Sequence, residues 1–175
     1  AHAKKKTQVM NEVALYGRGN VDLERLTKDT RKIVETCAAL MGPLPYDRYL
    51  FIVHLADKRG GGLEHLASTT LNVDRNAFAP REAYEETLSL VAHEFFHAWN
   101  VKRLKPAAFI PFDYTREQYT RLLWWFEGTT SYYDHLLLVR AGLLDPRRHL
   151  KHLGEAVTAL ERIPGARKMS LEEAS

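Results

Sequence analysis

Hydrophobic and polar positions in the first half of the chain predict one helix followed by extended segments. From Val21 to Leu40 the apolar residues mostly follow helical spacing, which predicts an amphipathic helix. Gly42 and Pro43 come directly after it and are typical of a helix end. The short apolar run from Tyr49 to Leu55 is rich in aromatic and β-branched side chains and predicts a buried strand. We expect the stretch from Leu63 to Val73 to be extended as well.

The segment that begins at Pro80 is predicted to form a long helix. Pro80 suits the first helical position, and acidic residues follow it within the first two turns. Lys102 and Arg103 would then lie in the last turn, where basic side chains interact favourably with the helix dipole. We therefore expect one helix of about twenty residues, from Pro80 to roughly Arg103.

Two further helices and a final helix start are predicted in the second half. One covers Arg116 to Leu138, with Gly128 as the position where it could break, and another runs from Asp145–Pro146 toward Arg162. Ser170-Leu-Glu-Glu173 is a capping box that begins a helix just before the last residue, so we expect a fragment of a longer protein. Short strands toward the N-terminus followed by a mainly helical part predict an α+β fold with segregated layers.

Composition is ordinary for a soluble globular domain or part of one. The chain has 175 residues, of which 45% are hydrophobic and 27% charged. No apolar run reaches the ~18 residues needed to span a bilayer, so no membrane segment is expected. The basic N-terminus lacks a following apolar stretch and is not expected to be a signal peptide.

Charge and cysteine content exclude several kinds of site. The net charge is only +3, and we interpret Lys4, Lys5 and Lys6 as a solvated tail. No nucleic-acid partner is predicted, because basic and aromatic residues do not interleave. Cys37 is the single cysteine, which excludes an intrachain disulfide and a cysteine-rich zinc site. A single cysteine fits a cytoplasmic location, which we expect. A periplasmic parent protein would have the same cysteine content. The sequence does not indicate an oligomeric state.

The chemistry is concentrated in an H-E-x-x-H motif inside the predicted Pro80 helix. His93 and His97 are four residues apart, so their imidazoles lie on one face and can bind one ion. Glu94 lies about 100° round the helix from His93, where it can reach a water on the ion without ligating the ion. This is the zincin arrangement.

The alternative interpretation of these histidines is a hydrogen-bonded pair with no metal. The helix around them is apolar nearly all round, which predicts that it is buried. Two histidines and a glutamate inside such a helix would be costly without a partner. A metal ion is the simplest partner, and we predict zinc bound by His93 and His97.

A third protein ligand is expected, because catalytic zinc takes three and keeps one position open. Glu127 is a lone carboxylate that follows the apolar stretch Leu122 to Phe126. This stretch leaves little room for a polar helix face, so we predict that Glu127 is the third ligand. Glu117 lies among charged and polar residues and is interpreted as solvated. His135 is a weaker candidate, because it could equally be a core histidine.

The glycine-rich segment before residue 65 has two interpretations. Taken alone, Gly60-Gly61-Gly62-Leu63-Glu64-His65 is best interpreted as a plain turn, and no Lys-Ser/Thr follows to complete a phosphate-binding loop. Beside a zinc site, glycines would let the backbone approach a bound peptide closely. Glu64 could then pair with the free amino terminus of a substrate, as in an exopeptidase.

Three segments in order resemble the glycyl aminopeptidase family of zinc metallopeptidases: GGLEH (Gly61 to His65), HEFFHAWNVKRLKP (His93 to Pro106) and LWWFEGTTSYY (Leu123 to Tyr133). The resemblance covers roughly residues 10 to 175. It implies a thermolysin-like catalytic domain, similar in fold to gluzincins and aminopeptidase N. GGLEH looks like the exopeptidase motif of aminopeptidase N, which implies that the substrate is bound by Gly61, Gly62, Glu64 and His65.

The resemblance also implies a function. His93, His97 and Glu127 would be the zinc ligands and Glu94 the general base. The expected activity is zinc-dependent peptide-bond hydrolysis, with removal of a small residue such as Gly or Ala from a peptide with a free N-terminus. The alternatives are a zinc endopeptidase in which GGLEH is only a turn, and a non-catalytic fragment that binds zinc or peptide.

The chain departs from the family pattern at several points. Ser131 stands where a thermolysin-like enzyme has an Asp four residues after the glutamate ligand, and Asp134 is a candidate substitute. The chain ends before the region expected to supply an oxyanion-stabilising Tyr, while Tyr132 and Tyr133 follow the ligand directly. We expect residues 1–175 to include neither the family's N-terminal β-domain nor its C-terminal PDZ domain. We therefore predict that residues 1–175 form a single partial catalytic domain.

Overall fold

The computed structural model describes residues 9–57 and 60–175. Lys4, Lys5 and Lys6 lie outside the described residues, so their interpretation as a solvated tail stays a prediction. The strands and helices are β1 (Met10–Tyr16), α1 (Leu23–Met41), β2 (Arg48–Ala56), β3 (Gly61–Glu64), β4 (Ser68–Asp74), α2 (Arg81–Phe96), α3 (Leu123–Arg140), α4 (Pro146–Arg162) and α5 (Leu171–Ala174). Short 3₁₀ turns cover Ala107–Phe109 and Pro164–Arg167.

A four-stranded mixed sheet forms one layer, in the order β1-β2-β4-β3. β2 pairs in parallel with both β1 and β4, while β3 runs antiparallel to β4. Helix α1 connects the parallel strands β1 and β2, as such a pair requires. Within the described part of the chain β3 is an edge strand, so one side of its backbone is free of sheet pairing.

The core lies between the sheet and helices α1, α2 and α3. Aromatic side chains fix the C-terminal half of α2 against β2. The ring of Phe95 meets that of Tyr49 edge-on with centroids 5.1 Å apart, and it meets Trp99 in the same way at 5.5 Å. Because Phe95 lies between the residues of the H-E-x-x-H motif, this packing also sets the position of that motif.

Several sequence predictions are confirmed. The α+β fold class, with strands toward the N-terminus and a mainly helical second half, agrees with the structure. The helix predicted from Val21 is α1, the apolar run at Tyr49 is β2, and the helix predicted from Pro146 is α4. The capping box forms, with reciprocal bonds between Ser170 and Glu173.

Strand β1 was missed by the hydrophobic pattern. Only Val13 and Leu15 contribute partly buried apolar side chains to the core, and most of the other side chains are exposed. The strand is held by its parallel pairing with β2. The stretch from Leu63 to Val73 is also not continuous, because a turn at residues 65–67 separates β3 from β4.

The prediction for the end of the Pro80 helix was wrong. α2 ends at Phe96 rather than near Arg103, and the amide N–H groups of Ala98 and Trp99 donate to carbonyls three residues back instead of four. Arg103 is not at a helix end: its guanidinium donates to backbone carbonyls outside α2, those of Pro45, Leu66 and Ala98. Arg103 therefore binds backbone groups outside α2.

The second predicted helix begins later than expected. α3 starts at Leu123 rather than Arg116, and it passes through Gly128 without a break. Gly lowers helix propensity but keeps the backbone hydrogen bond, so packing can carry a helix through it. Among the described residues, none of the helices combines the length and the apolar character needed to cross a membrane.

Candidate metal centre

Three predicted metal ligands converge at the end of α2 and the start of α3. His93 Nε2 lies 3.3 Å from Glu127 Oε2, and His97 Nε2 lies 3.8 Å from Glu127 Oε1. One ligand atom from each of the three lies within 4.8 Å of the other two. Ligand atoms ~2.0–2.1 Å from one tetrahedral zinc lie about 3.3 Å from each other. The arrangement therefore fits one tetrahedral ion.

The second nitrogen of each histidine has a partner that orients the ring. His97 Nδ1 donates to the carbonyl oxygen of Asn100 at 2.8 Å, which leaves Nε2 as the atom facing Glu127. His93 Nδ1 pairs with Asp134 Oδ2 at 3.3 Å. Ser131 is exposed, so the candidate substitute Asp134 takes the position beside the histidine. Such partners fix the ring orientation of metal-binding histidines.

The pKa values of the two imidazoles are shifted in opposite directions. Burial lowers the pKa of His93, but hydrogen bonds to Asp134 and Glu127 outweigh burial and raise it to about 10. Burial also lowers the pKa of His97, and there it dominates. The hydrogen bond from His93 holds the pKa of Glu127 below its usual range. In the absence of metal, a proton on His93 holds these side chains together.

Glu94 lies next to the three convergent residues in a buried position, with 5% of its surface exposed. Burial raises the pKa of its carboxyl group to about 7, and the negative charges of Glu64 and Glu127 act in the same direction. A carboxyl group with a pKa near neutrality can both accept and return a proton. The surroundings of Glu94 therefore suit a general acid–base role.

The backbone of β3 packs directly on Glu94. A Cβ added at Gly62 would lie 2.5 Å from the Glu94 carboxyl carbon, closer than any real Cβ contact. Gly61 has φ +71°, a left-handed conformation that favours glycine. The two glycines thus bring the edge of the sheet against the carboxylate.

Glu64, at the end of β3, is also brought into the site. Its carboxylate groups with Glu94 and His97, with one ligand atom from each within 4.8 Å of the other two. Lys102 Nζ lies 3.1 Å from Glu64 Oε1. His65 is exposed in the turn between β3 and β4, where its backbone N–H donates to Ser68, so it lies outside the convergent groups of the described residues.

The two alternative ligands lie apart from the convergent groups of the described residues. Glu117 is exposed and bonds with the hydroxyl of Tyr119. His135 Nδ1 pairs with Asp134 Oδ1 at 2.9 Å, and its ring stacks on His152 with centroids 4.8 Å apart. The geometry therefore favours Glu127.

Asn100 is a positioning residue that the sequence reasoning missed. It is 3% exposed, and its side-chain amide donates to Phe126 O at 3.1 Å and to Thr130 Oγ1 at 3.0 Å. Its own carbonyl accepts from His97. In the sequence, this role is indicated only by the presence of a short polar residue three positions after the H-E-x-x-H motif. Asn100 connects the end of α2 to the turn of α3 that carries Glu127.

Comparison with known proteins agrees with the motifs. Residues 86–175, just over half of the chain, match the family model of M61 glycyl aminopeptidase. The chain belongs to the M61 glycyl aminopeptidase family. This confirms the resemblance found from the sequence, and the matched residues include the H-E-x-x-H motif and Glu127 of this family member.

One solved structure is similar to this M61 family member over nearly its whole length. It is an aminopeptidase N family protein from Idiomarina loihiensis, with 40% sequence identity and a TM-score of 0.88. The match covers 93% of this chain and 29% of that chain, so this chain spans less than a third of that protein. No curated protein matches the chain.

We predict that His93 stays protonated in the metal-free chain up to pH about 10. Because its folded pKa lies above the ordinary 6.5, the charged ring stabilises the fold fully below pH 6.5 and progressively less as pH rises through about 10. NMR titration of the ring resonances measures this pKa directly.

Asp134→Asn serves as the matched variant for the His93 titration. It removes the carboxylate that pairs with Nδ1, so the pKa of His93 should fall toward its ordinary value. A ring in the wild-type chain that titrates at or below pH 6.5 would contradict this electrostatic account.

Proposed function

We propose that this chain carries the active site of a zinc-dependent aminopeptidase that removes small residues such as Gly or Ala from peptides. The observation that carries the proposal is the convergence of His93, His97 and Glu127 at separations that suit one tetrahedral ion. Membership of a peptidase family supports it. The expected partner is a peptide with a free N-terminus.

The residues assigned to the metal are the two imidazoles and one carboxylate, a donor set used by catalytic zinc sites. Zinc would supply a Lewis acid toward the scissile carbonyl and the attacking water. Asp134 and the carbonyl of Asn100 hold the two rings so that both Nε2 atoms face Glu127. A preorganised set of this kind needs little rearrangement when it binds an ion.

Glu94 is assigned the proton transfers. Its pKa of about 7 lets the carboxylate take a proton from water and return it to the leaving amine. Gly62 fixes one side of the carboxylate by direct contact. Glu94 therefore has both the chemistry and the constraint that a general base requires.

The edge strand β3 is assigned to the substrate backbone. Its free side, within the described part of the chain, can pair with an extended peptide as an added strand. Gly61 and Gly62 present no side chains there, which permits close approach. Glu64 at the strand end would then receive the amino terminus of the peptide.

A zinc endopeptidase is the second candidate. Glu64 already pairs with Lys102, and a carboxylate that is neutralised within the chain need not bind a substrate amine. Hydrolysis of matched peptides with free and acetylated N-termini separates the two functions, because only an aminopeptidase requires the free amine.

Metal analysis tests the ligand set. We expect one zinc per wild-type chain and at least a 10- to 100-fold weaker zinc affinity in Glu127→Ala, since even the loss of a residue that only orients a ligand costs that much. Glu117→Ala is the control and should bind zinc like wild type. Equal zinc affinity in Glu127→Ala and wild type would refute the assignment of the third ligand.

Glu94→Gln tests the general base. We expect hydrolysis of an unblocked alanyl peptide to fall by about 10²-fold or more, with zinc content unchanged, because the amide cannot accept the proton. Glu117→Gln, an exposed substitution of the same kind, controls for the loss of a charge. Full activity in Glu94→Gln would exclude this role.

Gly62→Ala tests the contact between β3 and the base. The added methyl group would force the Glu94 carboxylate to move, and a displacement of about 1 Å at a reacting group can cost 10²-fold in rate. Because Glu94 is buried, thermal stability should also fall, so rates are compared at a temperature at which both proteins are folded. Gly154→Ala in α4 meets nothing within 4 Å and is the control. Unchanged hydrolysis in Gly62→Ala would show that the contact is not needed.

A further inference from the structure

An ion pair inside the candidate site has no role in the aminopeptidase mechanism proposed above. Glu64 ends β3, and Lys102 lies in the turn after α2, so two separate segments bring the charges together. Lys102 Nζ lies 3.1 Å from Glu64 Oε1, and the two side chains are only 29% and 21% exposed. The pair is therefore part of the site wall rather than a solvated surface contact.

The turn holds Lys102 in place through a strained residue. Val101 has φ +133°, a conformation that a β-branched side chain rarely adopts. The N–H of Lys102 donates to the carbonyl of His97 at 3.1 Å, and the carbonyl of Asn100 accepts from His97 Nδ1. Backbone strain of this kind persists where the surrounding contacts over-determine it, often at functional sites. The contacts on both sides of Val101 thus fix the start of the lysine side chain beside a proposed ligand.

The group that Lys102 offers to Glu64 is a primary ammonium, the same chemical group as the N-terminus of a peptide. Glu64 also lies near Glu94, so an ammonium on Glu64 would place the first peptide residue beside the base. Two ammonium groups on one carboxylate repel each other. Lys102 and a peptide amine would therefore compete for Glu64.

We propose that Lys102 is an internal competitor that occupies the ammonium position on Glu64 until the α-ammonium of a peptide displaces it. The inference rests on the proposed aminopeptidase function and deepens it. Exchange of one cation for another keeps the charge around Glu64 and Glu94 balanced. A blocked N-terminus brings no cation to make this exchange, so Lys102 stays on Glu64 when such a peptide binds.

The test is binding of alanine amide, which carries a free α-ammonium, to the zinc-loaded chain, followed by NMR. Lys102→Met removes the competitor and should bind alanine amide about two- to five-fold more tightly, the range expected for a partly exposed ion pair. Lys102→Arg keeps a cation and should resemble wild type. Lys105→Met removes an exposed charge nearby and should also resemble wild type.

N-acetylalanine amide is the matched ligand without a charged amine, and its binding should be the same in wild type and Lys102→Met. Circular dichroism checks that each variant is folded. Unchanged alanine amide affinity in Lys102→Met would overturn the inference, because no competition would exist. Weaker affinity would overturn it as well, since Lys102 would then hold Glu64 in position for the amine.

The proposed function has separate tests, so the two failures can be told apart. If unblocked peptides are hydrolysed preferentially while Lys102→Met gains no affinity, the aminopeptidase proposal stands and the inference is wrong. If acetylated peptides are hydrolysed equally well, the aminopeptidase proposal itself is wrong. Glu64→Gln adds a direct check, since it should weaken alanine amide binding only if Glu64 receives the amine.

Discussion

The junction between the end of α2 and the start of α3 is the constraint on which the candidate site depends. Two of the proposed ligands, His93 and His97, lie at fixed spacing at the end of α2, but the third lies on another helix whose position nothing in the motif specifies. Asn100 supplies that position, because its carbonyl holds His97 while its buried amide holds Phe126 and Thr130. Loss of one partner would leave buried polar groups unsatisfied, so the junction resists rearrangement.

The carboxylates of the site explain why it needs cations. Glu64, Glu94 and Glu127 lie close together, and Asp134 is buried behind His93. Negative charges in such a setting are unfavourable unless they are paired. A proton on His93 offsets them in the metal-free chain, so an ion that takes this place must displace that proton.

Sequence reasoning succeeded where the relevant contacts are local. The spacing of four residues placed His93 and His97 on one face, and caps and apolar periodicity located α1 and α4. The end of α2 could not be predicted in this way, because Lys102 and Arg103 fit a helix terminus by charge but bind partners distant in sequence. β1 was missed for a related reason, since its stability comes from pairing with β2. The role of Glu127 was inferred from its apolar neighbours and from the family resemblance, and its metal binding stays a prediction.

The strained backbone at Val101 lowers local stability, while the same turn defines where the Lys102 side chain begins. A glycine at this position would adopt φ +133° without steric cost and would relax the backbone. It would also widen the range of conformations open to the turn, and the start of the Lys102 side chain would be less well defined. Greater thermal stability at this position would therefore come with a less well-defined position of the Lys102 ammonium beside Glu64, and a screen for stability alone would select that change.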